Sequence, residues 1–207
     1  MTAAILKTGV RVLTPAEYRS LEAQITKPSI KKLVRALLLS GMRYAEILRL
    51  KGSPHDFDPE RRTIYVKAGK TRTSKRERYV HLNDAGVQAI GEYLADERTA
   101  YPSSTVMGLN LQAWAKAAAL SAAPTLEGAI IEAGANAGDE RNNVWGLSVK
   151  SFRKSWESWL VATCPEKMAL IALSQGHETE TGMAHYMGIS FTQAERAEIR
   201  EMVQGWE

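Results

Sequence analysis

The sequence predicts a mainly α-helical domain that carries one small antiparallel β-hairpin or sheet. Apolar residues recur every three or four positions over most of the 207 residues, which is the helical period. Between His55 and Leu82 the period changes to an alternation of polar and apolar residues, which is typical of half-buried strands. A chain of this length with 44% hydrophobic residues suits one globular domain with a core of ordinary size.

The N-terminal part predicts three helices. Thr14-Pro15-Ala16-Glu17 places threonine as N-cap, proline at the first helical position and glutamate at the capping-box position, so a helix runs from there to about Ile25. We expect Ser29 to cap a second helix, whose buried stripe consists of Ile30, Leu33, Val34, Leu37 and Leu38. Ser40-Gly41 interrupts the pattern. A third helix covers Met42 to Leu50, with Arg43 and Glu46 three residues apart on a second face.

The middle of the chain predicts the hairpin. Residues 62–67 and 77–82 are rich in β-branched and aromatic residues, and a turn from Gly69 to Arg76 joins them. Cations concentrate in and beside this turn: Lys67, Lys70, Arg72, Lys75, Arg76 and Arg78. Two interpretations stay open at this point. The charges either keep a solvated hairpin edge from aggregating, or they meet phosphates of a partner.

Two helices are expected after the hairpin. Asn83-Asp84 caps one that runs to about Asp96, and the other covers Leu111 to Leu120. Residues 101–107 and 132–145 are expected to be loops, the latter stretch because it is rich in Gly, Ala and Asn.

The C-terminal part predicts three more helices. The first begins at Ser148 and buries Phe152, Trp156, Trp159 and Leu160, which leaves Lys150, Arg153 and Lys154 on polar faces. A short helix from Pro165 to Ser174 ends before Gly176. The last runs from Thr192 to Trp206, and its apolar stripe packs either on its own body or on a neighbouring molecule.

Composition and failed motifs exclude several classes. The single cysteine, Cys164, excludes an intrachain disulfide and a cysteine-based zinc site, so we expect the reducing cytoplasm. We find no membrane-spanning run. Ala68-Gly69-Lys70-Thr71 imitates a phosphate-binding loop, but Ile64 stands where its first glycine is needed. His177-Glu178 begins a zinc motif that Thr181 breaks. We therefore expect neither a metal nor a cofactor, while the net charge of +4 favours a polyanionic partner.

A set of residues then carries a resemblance. Arg43 and Glu46 follow Gly41-Met42, Lys70 lies on the hairpin, Lys150 and Arg153 open a helix, His177 follows Gly176, and Tyr186 lies nine residues after His177. In order, spacing and setting, these residues resemble the catalytic domain of the tyrosine recombinase (phage integrase) family. The resemblance runs from about Thr14 to the C-terminus and implies the catalytic-domain fold of that family. Taken singly, the same residues have plainer explanations: ion pairs of Arg43 with Glu46 and of Arg153 with Glu157, and capping or packing for His177 and Tyr186.

The resemblance implies a role for each of these residues. Arg43 and Arg153 bind the scissile phosphate through fixed donors, and His177 adds a hydrogen bond. Lys70 is the general acid for the leaving 5′ oxygen, with Lys67 and Lys75 as rivals. Tyr186 is the nucleophile. Further contacts to DNA are expected from Lys67, Arg72, Lys75, Arg76 and Lys154.

Lys150 departs from the family pattern, which usually has histidine in the second box, His-x-x-Arg. A lysine there can bind phosphate, but it acts as a base only if burial or neighbouring cations lower its pKa. The resemblance implies that some archaeal integrases share the Lys-x-x-Arg form.

The expected function is site-specific recombination or integration of double-stranded DNA through a 3′-phosphotyrosyl intermediate, without metal or ATP. Residues 1–207 are expected to form a single catalytic domain that lacks the family's N-terminal core-binding domain, and to self-associate on DNA as a dimer or tetramer. Two alternatives stay open. One is a topoisomerase or nuclease-like enzyme that cuts with the same tyrosine, and the other is a DNA-binding relative with impaired catalysis.

Overall fold

The computed structural model describes residues 4–7, 9–68, 77–98, 100–123, 143–177 and 189–206. In chain order the strands are β1 (Ile5–Lys7), β2 (Val10–Val12), β3 (Phe57–Asp58), β4 (Thr63–Val66) and β5 (Arg78–His81). The helices are α1 (Pro15–Ala23), α2 (Pro28–Ser40), α3 (Tyr44–Leu50), α4 (Asp84–Leu94), α5 (Ser104–Ala117), α6 (Val149–Thr163), α7 (Met168–Gln175) and α8 (Gln193–Val203). Two single-turn 3-10 helices, Pro54–Asp56 and Pro165–Lys167, precede β3 and α7. The predicted class, mainly α with small antiparallel sheets, is confirmed.

The strands form two small antiparallel sheets. β1 pairs with β2, and β4 lies between β3 and β5. Ile64 lies opposite Val80 and Val66 lies opposite Arg78, so these four side chains share one face of the β4–β5 pair. The sequence predicted β4 and β5. It did not predict β1, β2 and β3, because strands of two or three residues are too short to show an alternating pattern.

The core is centred on α2 and α6. α2 packs against α4 and α6, and α6 also contacts β2 and α8. α6 contributes the large side chains that the sequence assigned to its buried stripe, since Phe152, Trp156 and Trp159 are fully buried. Trp159 also donates its indole N–H to the carbonyl oxygen of Leu13 at 2.9 Å. This bond ties α6 to the segment between β2 and α1.

The N-caps predicted for α1, α6 and α8 are confirmed. Thr14, Ser148 and Thr192 each accept a backbone hydrogen bond at the start of α1, α6 and α8, and the Thr14–Glu17 capping box is formed. The predicted starts of α2, α3, α5 and α7 are wrong. α3 begins at Tyr44 instead of Met42, and α7 begins at Met168 because Pro165–Lys167 form a 3-10 turn. α2 begins at Pro28 instead of after Ser29, because proline already has the φ angle of a first helical residue.

The largest of these differences concerns α5. This helix begins at Ser104 instead of Leu111, because the Ser103 hydroxyl accepts the backbone N–H of Val106 at 3.2 Å and caps a turn that was expected to be loop.

The last helix packs on its own body. Ile199, Val203 and Trp206 are buried, and Trp206 donates its indole N–H to the carbonyl oxygen of His81 at 2.8 Å. Of the two placements that the sequence left open, the structure shows packing on the chain's own body. Across the ranges given above, no helix is both long and apolar enough to span a bilayer.

Candidate active site

The turn between α2 and α3 places the first candidate, Arg43. Gly41 ends α2 in the left-handed conformation with φ of 62°, and a Cβ at this position would lie 2.7 Å from both the Trp156 ring and the Gln175 side chain. Only glycine allows this close approach. The chain then turns so that Arg43 precedes the first residue of α3, with its side chain 32% exposed.

Arg43 is held by a buried carboxylate. Glu46 accepts hydrogen bonds from the Arg43 backbone N–H at 2.9 Å and from the Arg43 guanidinium at 2.8 Å. On its other side Arg78 donates to both carboxylate oxygens at 3.1 and 2.7 Å. Burial by itself would raise the pKa of Glu46, but the hydrogen bonds and charges of Arg78 and Arg43 outweigh it and lower this pKa to about 2. Glu46 is therefore an anion at any physiological pH.

The second candidate, Arg153, lies in the first turns of α6 and is buried. Its Nη1 donates to the carbonyl oxygen of Gly41 at 3.2 Å, its Nη2 donates to the carbonyl oxygen of Gln175, and its Nε lies 2.9 Å from Oε1 of Glu157. Burial, reinforced by the charges of Arg43 and Arg78, lowers the pKa of Arg153 to about 10, so the guanidinium stays charged at neutral pH. Arg153 thus joins the ends of α2 and α7 to α6.

The third candidate, His177, follows the C-terminus of α7. Gly176 ends that helix with φ of 70°, and the His177 backbone N–H donates to the carbonyl oxygen of Ala172 at 2.8 Å. The imidazole Nε2 lies 2.9 Å from Oε1 of Glu157 and 3.1 Å from Nη2 of Arg153. The side chain is 27% exposed. His177 and Arg153 therefore meet around one carboxylate oxygen.

These three side chains open into one cleft of about 620 Å³. Lys150 and Lys154 on α6 line the same cleft, and Ser103 and Ser104 at the start of α5 line it as well. Lys150 is exposed, and Lys154 donates from Nζ to the carbonyl oxygen of Lys7 at 2.7 Å. Five basic side chains therefore line one cleft, although they are up to 134 residues apart in the chain: Arg43, Lys150, Arg153, Lys154 and His177.

Other predicted residues lie elsewhere. Lys67 is outside the lining of this cleft, and its Nζ is 3.0 Å from Asp56 beside a smaller cavity of about 130 Å³. Five candidates fall outside the described residues: Lys70, Arg72, Lys75, Arg76 and Tyr186. Their assignments stay predictions. In the part of the chain that the structure describes, no group of His, Cys, Asp and Glu side chains could hold a metal ion.

Arg78 requires a correction. It was grouped with the cations that surround the hairpin turn, but it is buried and paired with Glu46. The alternation of β5 contains the signal, because Arg78 has the same parity as Val80, which is fully buried. Glu157 was foreseen only as an ion-pair partner of Arg153, four residues away on the helix, and its contact with His177 was not expected.

Comparison with known proteins identifies the family. The sequence model of the phage integrase family matches residues 11–192. The chain belongs to the phage integrase family. It is therefore a tyrosine-type site-specific recombinase. A search of curated protein sequences found no match.

Solved structures of integrases share the fold. The XerA recombinase superposes with a TM-score of 0.58 and 16% sequence identity, over 99% of this chain and 67% of that one. The Tn1549 transposon integrase, solved in complex with circular intermediate DNA, gives a TM-score of 0.56 and 17% identity, over 95% of this chain and 68% of that one. This chain thus spans about two thirds of the length of these integrase chains.

Proposed function

We propose that this recombinase cleaves and rejoins double-stranded DNA through a 3′-phosphotyrosyl intermediate formed by Tyr186. One observation carries the proposal: Arg43, Arg153 and His177 share a single cleft, although they are up to 134 residues apart in the chain. Two guanidiniums and an imidazole around one space are the donors that a phosphate in a transition state requires.

In this proposal Arg43 and Arg153 bind the scissile phosphate. Arg43 is the more exposed of the two. Glu46 accepts from its backbone N–H and from its Nη1, and the remaining guanidinium N–H groups can donate to a nonbridging oxygen while these bonds stay in place. Arg153 is buried behind it, with its charge retained at neutral pH. Because both are planar and permanently charged, they stabilise the negative charge that builds on the phosphate during attack.

Strand cleavage then requires two proton movements. The Tyr186 hydroxyl oxygen attacks the phosphorus and its proton passes to water, the bond from phosphorus to the 5′ oxygen breaks, and Lys70 donates a proton to that oxygen. Lys150 lines the cleft at the position of the family's second-box histidine, and as an exposed ammonium group it contributes a phosphate contact. The products are a 3′-phosphotyrosine and a free 5′ hydroxyl.

Rejoining is the same reaction in reverse. A 5′ hydroxyl of another strand attacks the phosphotyrosine and releases Tyr186, so the covalent bond conserves the energy of the phosphodiester and no ATP is needed. The cations of the cleft provide the electrostatic stabilisation, so the proposed reaction also proceeds without a metal. Exchange between two duplexes breaks four strands, and each protein chain supplies one Tyr186. Several chains are therefore needed, and we expect them to self-associate on DNA.

A trapping experiment tests this proposal. The protein is incubated with a pool of nicked duplexes of randomised sequence, labelled at the 5′ end of the cleaved strand, and covalent complexes are separated under denaturing conditions. We expect labelled complex with the wild type and none with Tyr186→Phe. The matched control is Tyr79→Phe, which alters an exposed tyrosine on β5 outside the cleft and should leave trapping unchanged.

The other outcomes separate the alternatives. Covalent complex with Tyr186→Phe at the wild-type level would reject this tyrosine as the nucleophile. Cutting or relaxation with no transfer to a second duplex would favour the topoisomerase or nuclease-like alternative. DNA binding with no covalent complex in the wild type would favour a relative with impaired catalysis.

A further inference from the structure

Glu157 is the acidic side chain in the lining of the candidate cleft. Its side chain is 1% exposed, and a single oxygen, Oε1, lies 2.9 Å from both Arg153 Nε and His177 Nε2. A carboxylate so close to a phosphate-binding space would repel DNA if it were free. Its contacts with Arg153 and His177 instead offset much of that repulsion, and they neutralise part of the charge of Arg153 before DNA arrives.

The contact with His177 defines where the imidazole proton lies. An ionised carboxylate only accepts hydrogen bonds, so the Nε2 atom that faces Glu157 at 2.9 Å carries a hydrogen. That hydrogen prevents Nε2 from also accepting a bond from Arg153 Nη2, which lies 3.1 Å away and donates to the carbonyl oxygen of Gln175. Arg153 and His177 are thus two donors held side by side by one shared acceptor. Because Nε2–H is used by Glu157, a hydrogen bond from His177 to the phosphate requires the protonated ring, which donates through Nδ1–H.

Resting on the function proposed above, we propose that Glu157 is a positioning residue for DNA cleavage. Its Oε1 atom fixes the orientation and the tautomer of His177 and locks the Arg153 guanidinium beside it. Glu157 acts through these two groups and does not itself touch the reacting atoms. For the rate of cleavage, the essential property is the position of this acceptor oxygen; the negative charge of Glu157 contributes mainly to the stability of the folded cleft.

Two conservative substitutions distinguish the effect of the position of the Glu157 acceptor oxygen from the effect of its negative charge. Glu157→Gln keeps an acceptor oxygen at the same distance along the side chain and removes the charge. Glu157→Asp keeps the charge but withdraws the oxygens by one methylene. If the position of the acceptor oxygen matters most, the Gln variant forms the covalent DNA complex at a rate within about fivefold of the wild type. The Asp variant is slower by about 100-fold, which is the effect expected when a catalytic group is misplaced by about 1 Å.

The measurement is the single-turnover rate of covalent complex formation at saturating DNA. The Gln variant should exceed the Asp variant by more than about tenfold, while DNA affinity changes by less than about threefold in either. An Asp variant that cleaves as fast as the Gln variant, or faster, overturns the proposal. Glu17→Asp is the matched control, because Glu17 pairs with the fully buried Arg11 at 2.5 Å outside the cleft lining. That control should lower stability without changing the rate per folded molecule.

A second readout does not depend on cleavage. Nitrogen-15 NMR of the His177 ring, recorded on wild type and variants at a pH where the imidazole is neutral, reports which nitrogen carries the hydrogen. We expect the hydrogen on Nε2 in the wild type and in the Gln variant, and a mixture of tautomers in the Asp variant. A wild type with the hydrogen on Nδ1 overturns the inference even if DNA is cleaved. Conversely, failure to form any covalent complex counts against the proposed function, and the NMR result still decides the placement by Glu157.

Discussion

Replacement of Glu46 by glutamine tests the electrostatic support of Arg43. The Glu46 side chain is 2% exposed, and its pKa is lowered from 4.5 to about 2 by Arg78 and Arg43. At about 1.36 kcal/mol per pH unit, this difference corresponds to roughly 3 kcal/mol of folding free energy at neutral pH. The same size is expected from the structure, since removing one partner of a buried ion pair costs about 3–5 kcal/mol.

The stability that Glu46 contributes depends on pH, and this dependence has a predicted sign. Because the folded pKa lies below the unfolded one, this contribution is fully present above about pH 4.5 and is lost as the pH falls toward about 2. We expect the wild type to exceed Glu46→Gln by roughly 3 kcal/mol at pH 7 and by less than half of that at pH 3. Both proteins titrate their other carboxylates alike, so the difference between them isolates Glu46.

Urea denaturation followed by tryptophan fluorescence between pH 7 and pH 3 measures this difference. The matched control is Glu60→Gln, which alters an exposed glutamate and should change the free energy of unfolding by less than about 0.5 kcal/mol at any pH. A stability difference between wild type and Glu46→Gln that stays constant from pH 7 to pH 3 would refute the reasoning. In the same variant, we expect slower covalent complex formation with DNA, because Arg43 loses its charged support.

Two further substitutions test how the backbone and helix ends are built. Gly41→Ala should destabilise the fold by about 2 kcal/mol or more in urea denaturation, because the left-handed φ and the 2.7 Å approach of the Trp156 ring both exclude a Cβ. Gly108→Ala, in the interior of α5 with open space around it, should instead stabilise by up to about 1 kcal/mol, and equal effects of the two changes would contradict the argument. Lys51→Met should cost about 1–3 kcal/mol, because the ammonium group donates to three carbonyl oxygens at the end of α4. Lys116→Met at an exposed site on α5 is its control, and a Lys51 variant as stable as this control would show that those carbonyls need no charged donor.

What the sequence predicted well depends on residues close together in the chain. The Thr14–Glu17 capping box needs only one helical turn of sequence, and it forms as expected. The ion pair of Arg153 with Glu157 spans one turn of α6 and was likewise foreseen. The contact of Glu157 with His177 was not, because it depends on how α7 packs against α6, which no local pattern records.

In the hairpin, too, the sequence did not predict which side chains are buried. The sequence indicated both strands and their cations, but a list of cations does not say which of them face the interior. The register of β4 and β5 decides that question, since it places Arg78 on the face shared with Ile64 and Val80 and brings it to Glu46. Arg78, which the sequence only grouped with the cations of the hairpin, is therefore buried and supports Glu46 and, through it, Arg43.

The candidate site follows one electrostatic rule applied twice. Glu46 accepts hydrogen bonds from Arg43 and Arg78, and Glu157 contacts Arg153 and His177. Cations brought this close in a region of low dielectric repel one another strongly, so a cleft built from arginines alone would open or would shift their side chains away. Glu46 offsets that repulsion for Arg43 and Arg78, and Glu157 offsets it for Arg153. The three arginines still exceed the two glutamates by one positive charge, which leaves the site stable in the absence of DNA and yet attractive to a phosphate.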